Sequence, residues 1–215
     1  MTNRTESSAP SGFRSLGLSP ALAAAVTALG YEEPTAIQQE AIPLLLSGKD
    51  MVGQAGTGTG KTAAFSLPML HRLAEGSGGK RGGGEPRSLI LVPTRELAMQ
   101  VAEAVHKYAR GTKLVVVPLY GGASMEQQIR SLKRGADVIV ATPGRALDHL
   151  RRRTLDLSSV EVVVLDEADE MLDMGFAEDL EAILSATPTH RQTALFAATM
   201  APRIAAIAGR HLKNP

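Results

Sequence analysis

From Ser88 onward the chain alternates between short runs that are apolar throughout and longer stretches with apolar residues on one helical face. The runs Ser88–Val92, Leu114–Leu119, Val138–Ala141, Val160–Leu165 and Thr193–Phe196 are too short and too uniformly apolar for surface helices, and they predict buried strands. Between them Glu96–Ala109, Ser124–Arg134, Arg145–Arg151, Phe176–Ser185 and Pro202–Leu212 predict helices. Upstream, Pro20–Leu29 reads as a helix with Ser19 as its cap and Gly30 as its stop, followed by a second helix over Ala36–Ser47 ended by Gly48. Asp50–Gln54 reads as a further strand and is followed by a glycine-rich loop and a helix reaching about Ala74. Strands apolar on both faces, separated by helices, predict an α/β domain over residues 13–215, with a mostly parallel sheet covered by helices on both faces. Residues 1–12 are polar and predict a disordered tail, and Gly76–Gly84 (GSGGKRGGG) predicts a flexible solvent loop.

The polar clusters of the chain follow the strands. They are Ala55–Thr62, Pro93–Glu96, Gly121-Gly122, Thr142–Arg145, Asp166–Asp169 and Ala197–Thr199. Parallel strands bring all of these to one edge, outside the carboxyl ends, where open α/β sheets place their ligands.

Composition narrows the chemistry. The sequence holds no cysteine, which excludes disulfides and thiolate metal sites and favours a reducing compartment, expected to be the cytoplasm. The five histidines, at 71, 106, 149, 190 and 211, lack zinc-ligand spacing. A net charge of +1 argues against a uniformly basic nucleic-acid binder, so any such surface must be local. The first residues lack the apolar segment of a signal peptide, and no apolar run approaches the ~18 residues of a membrane span.

Two clusters carry readable chemistry. In Ala55-Gly56-Thr57-Gly58-Thr59-Gly60-Lys61-Thr62, glycines let successive N–H groups turn inward toward anionic oxygens, and the following helix adds its positive dipole end. Lys61 can reach terminal phosphates, and the Thr62 hydroxyl suits a magnesium ion. The phosphate-loop pattern is met except at its first position, where Ala55 replaces glycine. Asp166 and Glu167 end a buried strand: the first suits magnesium, largely through water, and the second can orient an attacking water. The plain alternatives are a flexible linker for the loop and, for the carboxylates, the acidic first turn of a helix.

Taken together, these motifs resemble the first RecA-like domain of the DEAD-box ATP-dependent RNA helicases. The resemblance is carried by Asp166-Glu167-Ala168-Asp169, the Ala55–Thr62 loop, Pro93-Thr94-Arg95-Glu96-Leu97, Gly121-Gly122, Thr142-Pro143-Gly144-Arg145, and an upstream segment over residues 13–39 that includes Gly30–Gln38. It implies ATP or ADP with Mg²⁺ as cofactors and RNA as partner. Gln38 would then read the adenine edge, with Phe13 or Tyr31 against the base, although Tyr31 equally suits simple packing at a helix start. Lys61, Asp166 and Glu167 would be catalytic, with Thr62 and Asp166 at the metal. Pro93, Thr94, Arg95, Gly121, Gly122, Thr142, Pro143, Gly144 and Arg145 would meet RNA sugar and phosphate. Thr94 and Thr142 also suit helix caps, and Arg151–Arg153 reads as a solvated helix end.

Two departures stand out. The family's Ser-Ala-Thr appears as Ala197-Ala198-Thr199. The resemblance assigns that Ser and Thr to holding Asp169, so the missing hydroxyl is expected to weaken coupling between hydrolysis and unwinding. The family also needs a second RecA-like domain with arginine fingers, which nothing in these residues resembles, so this chain is expected to be the N-terminal part of such a helicase. A rival reading is an ATP-gated RNA clamp; another is a DNA helicase or other phosphate-loop NTPase lacking an adenine-reading glutamine.

Overall fold

A computed structural model describes residues 12–75 and 84–215. The expected tail and Gly-rich loop lie outside these residues, apart from Gly12 and Gly84. Six strands form one sheet: β1 (Met51–Gln54), β2 (Ser88–Leu91), β3 (Val116–Leu119), β4 (Val138–Ala141), β5 (Val162–Leu165) and β6 (Gln192–Ala197). Every neighbouring pair is parallel, and the order across the sheet is β1-β6-β5-β2-β4-β3.

The helices are α1 (Pro20–Ala28), α2 (Ala36–Leu46), α3 (Lys61–Glu75), α4 (Arg95–Tyr108), α5 (Met125–Lys133), α6 (Pro143–Arg151), α7 (Ala168–Asp173), α8 (Ala177–Ser185) and α9 (Pro202–His211). None among the described residues is long and apolar enough to cross a membrane. The period of two along each strand divides the core in two. Ile90, Val140, Val164 and Phe196 pack beneath α1–α4, whereas Leu89, Ile139, Val163 and Leu195 face α6–α9.

The differences from the sequence reading are local. β3 begins two residues late, and just before it the Val115 N–H donates to the Asp137 carboxylate at 2.8 Å. β5 begins at Val162 rather than Val160, and α6 begins at Pro143, two residues before the predicted start. The short helix α7 is not among the expected helices, but it realises the alternative noted for the acidic cluster, since Asp169 and Glu170 fall in its first turn.

Candidate active site

At the carboxyl end of β1 the phosphate loop is tied down on three sides. The Ala55 N–H donates to the Ala197 carbonyl at 3.0 Å, joining it to the neighbouring strand β6. Inside the loop, the Thr59 hydroxyl donates to the Gly56 carbonyl at 2.8 Å. From α2, the Thr35 hydroxyl donates to the Thr59 carbonyl and the Gln38 amide to the Gly60 carbonyl, at 2.9 and 3.0 Å. The Gln38 oxygen accepts the Thr35 N–H at 2.9 Å, so this side chain both caps α2 and braces the loop. Gln38 is only 1% exposed. Gly58 and Gly60 take φ of +78° and +93°, the left-handed region, while Gly56, Thr57, Gly58 and Thr59 are exposed. Lys61 opens α3, with the partly buried Thr62 beside it.

Lys61 is buried, and its amine lies 3.5 Å from Asp166 Oδ1 and 3.9 Å from Glu167 Oε1. Burial pushes the Asp166 carboxyl above its ordinary pKa, against the pull of Lys61. Burial, followed by repulsion from Asp166, raises Glu167 as well. Glu167 caps α7 with φ of +52°, a conformation a non-glycine residue rarely holds. Asp169 accepts from the Thr199 N–H at 2.9 Å and its hydroxyl at 3.1 Å. Although partial burial opposes it, these bonds hold the Asp169 carboxyl below its ordinary pKa. Ala197 is fully buried at the end of β6, and Thr199 alone of the Ala197–Thr199 side chains carries a hydroxyl to Asp169.

The donor set fits magnesium. Thr62 and Asp166 offer hard oxygens beside a phosphate cradle, and no cluster of three acidic or histidine residues among the described residues forms a protein cage.

Phe13 and Tyr31 form part of an aromatic chain. Phe13 lies in a short 3-10 turn, buried, with its ring edge-on to Tyr31 at 6.2 Å. Tyr31 in turn meets Tyr108 edge-on, with the two hydroxyls 2.9 Å apart. Burial, then the bond to Tyr31, pushes the Tyr108 hydroxyl pKa up.

The other clusters follow β2, β3 and β4. Pro93 is buried; Thr94 caps α4 by accepting the Leu97 N–H at 3.2 Å; Arg95 is exposed and pairs with Glu96 at 3.0 Å. Gly121 and Gly122 are exposed, the latter with φ of +82°. Thr142 sits at the N-cap of α6, but its side chain makes no capping bond, and Pro143 occupies the first turn. Gly144 and Arg145 lie half-buried on that turn. Arg145 Nη1 donates to the Ala123 carbonyl at 3.0 Å and to Gln128 Oε1 at 2.9 Å. The clusters after β3 and β4 border an open cleft of about 380 Å³ whose lining includes Gly121, Thr142, Arg145, Asp148, Arg151 and Asp179; Pro93–Glu96 does not reach it.

Sequence matching decides the family. The DEAD/DEAH box helicase profile covers residues 35–207. The chain belongs to this family. It is 53% identical over 204 residues to the ATP-dependent RNA helicase DeaD of Mycobacterium tuberculosis, covering 94% of this chain and 35% of that protein. It is 51% identical over 203 residues to the DEAD-box ATP-dependent RNA helicase CshA of Bacillus cereus, covering 94% of this chain and 38% of the relative. Among solved structures, a DEAD box protein from the hyperthermophile Methanococcus jannaschii superposes with a TM-score of 0.87 at 41% identity, covering 94% of this chain and 54% of that one. A hypothetical ATP-dependent RNA helicase from Sulfolobus tokodaii gives 0.81 at 38% identity, covering 90% and 55%. The fold is therefore that of a DEAD-box RecA-like domain, and the chain spans about a third of the length of these curated relatives.

The sequence reading had not singled out Thr35 as a loop contact, nor Gln128 and His149 behind Arg145. Arg145 and His149 are four apart on α6 and share a face, a spacing that was available as a signal.

Proposed function

We propose that this chain is the nucleotide-binding half of an ATP-dependent RNA helicase, in which hydrolysis drives local unwinding or remodelling of RNA. The observation that carries this reading is the strand order. The strands ending in the phosphate loop, Asp166-Glu167 and Ala197–Thr199 are neighbours, β1-β6-β5, and those ending in Pro93–Arg95, Thr142–Arg145 and Gly121-Gly122 are neighbours, β2-β4-β3. On this reading, one edge of the sheet divides into a nucleotide half and an RNA half.

In the nucleotide half, backbone N–H groups of the loop, Lys61 and the α3 dipole bind phosphate oxygens. Thr62 and, through water, Asp166 would hold a magnesium ion, which would supply charge neutralisation at the phosphates. Glu167 orients and accepts a proton from the attacking water. Gln38 reads adenine, with Phe13 or Tyr31 near the base. In the RNA half, Arg95 and Arg145 pair with phosphates, while exposed Gly121 and Gly122 and half-buried Thr94 and Thr142 admit the sugar–phosphate backbone closely, so recognition is independent of base sequence.

The remaining rate enhancement belongs to a second RecA-like domain with arginine fingers, which in related phosphoryl transfers are worth roughly 10³–10⁵ in rate. The isolated chain should bind Mg·ADP and hydrolyse ATP negligibly. A titration with fluorescent ADP and a steady-state ATPase assay with RNA test this, and robust RNA-stimulated turnover by the 215-residue chain would overturn it.

A second reading, an ATP-gated RNA clamp, is favoured by Ala197, which leaves Asp169 to the N–H and hydroxyl of Thr199. In the complete protein, Ala197→Ser should raise base pairs unwound per ATP if coupling is the defect. No change in that ratio removes the argument from Ala197.

A further inference from the structure

We propose that Gln128 and His149 are positioning residues for the RNA-facing edge, a buried amide–imidazole pair that locks the 121–123 loop to the start of α6. The proposal rests on the reading that these two segments meet RNA.

Helix α5 is polar, and its single buried residue is an amide, Gln128, at 6% exposure. Its contacts join three segments. Nε2 donates to the Tyr120 carbonyl at 3.0 Å, at the base of the Gly121-Gly122 loop. Oε1 lies 2.9 Å from Arg145 Nη1 and 2.9 Å from His149 Nε2, both on α6. Arg145 can only donate, so the Gln128 atom it meets must be the amide oxygen. That oxygen can only accept, so His149 must carry its proton on Nε2. The Thr154 hydroxyl lies 2.8 Å from His149 Nδ1 and 3.2 Å from the His149 carbonyl; with the ring neutral, its proton is shared between these two acceptors. Every polar atom of the pair has a partner, as a buried network requires. Burial, then the nearby Arg145 charge, pushes the His149 pKa down and favours this neutral tautomer.

The result is a two-point clamp on one loop: Gln128 holds the Tyr120 carbonyl and Arg145 Nη1 holds the Ala123 carbonyl, while the same guanidinium is fixed from behind by the amide. Arg145 Nε and Nη2 make no hydrogen bond to described residues, and they are thereby presented in one orientation toward a phosphate. An apolar residue at 128 would fill the same space but set neither the loop nor the guanidinium.

The test uses the 215-residue chain with a fluorescent oligouridine at low salt, fluorescent ADP, and amide hydrogen exchange of residues 121–124. Gln128→Leu and His149→Leu should weaken oligouridine binding about tenfold. ADP affinity should stay within about twofold, while exchange in the loop speeds up. His149→Gln can keep an N–H toward Gln128 and should bind RNA nearly as the parent does. Should Gln128→Leu fail to fold, Gln128→Glu serves: it keeps the two accepted bonds, sets an oxygen against the Tyr120 carbonyl, and should still loosen the loop and weaken RNA binding. Unchanged RNA affinity in the Leu variants, equal losses for RNA and ADP, or a Gln variant no better than Leu at 149 would each overturn the positioning role alone. An unmodified chain that binds ADP but no oligouridine would overturn the RNA reading and this role with it.

Discussion

The phosphate loop contains a graded series of three glycines, and the grading comes from geometry alone. A Cβ at Gly56 would meet nothing within 4 Å, and φ there is not left-handed. A Cβ at Gly58 would also meet nothing, but φ is +78°. At Gly60, φ is +93°, and a Cβ would lie 2.5 Å from Gln38 Nε2 and 3.0 Å from the Thr35 hydroxyl. Gly56→Ala should therefore change stability by less than ~0.5 kcal/mol. Gly58→Ala carries the left-handed strain alone, about 1–2 kcal/mol. Gly60→Ala carries the same strain and also displaces Gln38, which then loses its bonds to the Thr35 N–H and the Gly60 carbonyl. Gln38 is buried, so water replaces neither bond well; two such bonds are worth about 2 kcal/mol, for a total near 3–4 kcal/mol. Urea unfolding without nucleotide, followed by circular dichroism, gives the three values. The decisive control is Gln38→Ala. In that background Gly60→Ala should cost only about 1–2 kcal/mol, a coupling of roughly 2 kcal/mol. Equal costs at Gly58 and Gly60, or additive costs in the double variant, would refute the claim that Gln38 braces the loop.

Three further outcomes follow from the site. Thr199→Val removes one of the bonds that depress the Asp169 pKa, so that pKa should rise, as carboxyl-carbon NMR would detect. A depressed carboxylate stabilises the fold above its unfolded pKa and loses that contribution as pH falls through the folded value; the stability deficit of Thr199→Val, about 0.5–1 kcal/mol at this surface-exposed bond, should thus hold at neutral pH and close at strongly acidic pH, and a deficit independent of pH would contradict this. Lys61→Met leaves the Asp166 carboxylate buried without its nearest cation, and it should abolish fluorescent-ADP binding while lowering the unfolding free energy by up to the ~3–5 kcal/mol typical of broken buried pairs; a stability equal to the parent's would show that the pair is not desolvated. Gln38→Ala should erase preference for ATP over GTP in competition against fluorescent ADP, and a retained preference would move adenine reading elsewhere.

The alternation of apolar runs and amphipathic stretches made the strands, their parallel direction and the placing of six polar clusters at one edge legible before any coordinates. Periodicity reports burial, and burial is what a parallel sheet imposes on its strands. Side-chain partnership was less legible, because it depends on which elements become neighbours. Gln38 was readable as a recognition residue through resemblance; that its amide ends on the Gly60 carbonyl follows only once α2 lies over the loop. Gln128 looked like one more polar residue on a polar helix, and His149 like one of five scattered histidines. Each acquires a role because β3 and β4 are adjacent, which sets α5 and α6 side by side.

Strand order was the least legible feature and orders the site most. The chain visits β1, crosses to β2, runs out to β3, and returns through β4 and β5 to β6. Nothing in the apolar runs distinguishes this path from others with the same right-handed crossovers. The path nevertheless determines that the phosphate loop, the Asp166 cluster and Thr199 share one half of the edge. It also leaves a single seam between the halves, where β5 pairs with β2. At that seam the Asp166 N–H donates to the Leu91 carbonyl at 2.9 Å, two residues before Pro93. The strand end that carries Asp166 and the strand end that leads into Pro93 are thus joined through their backbones. A displacement of Asp166 along β5 must stretch that bond or move the end of β2 with it.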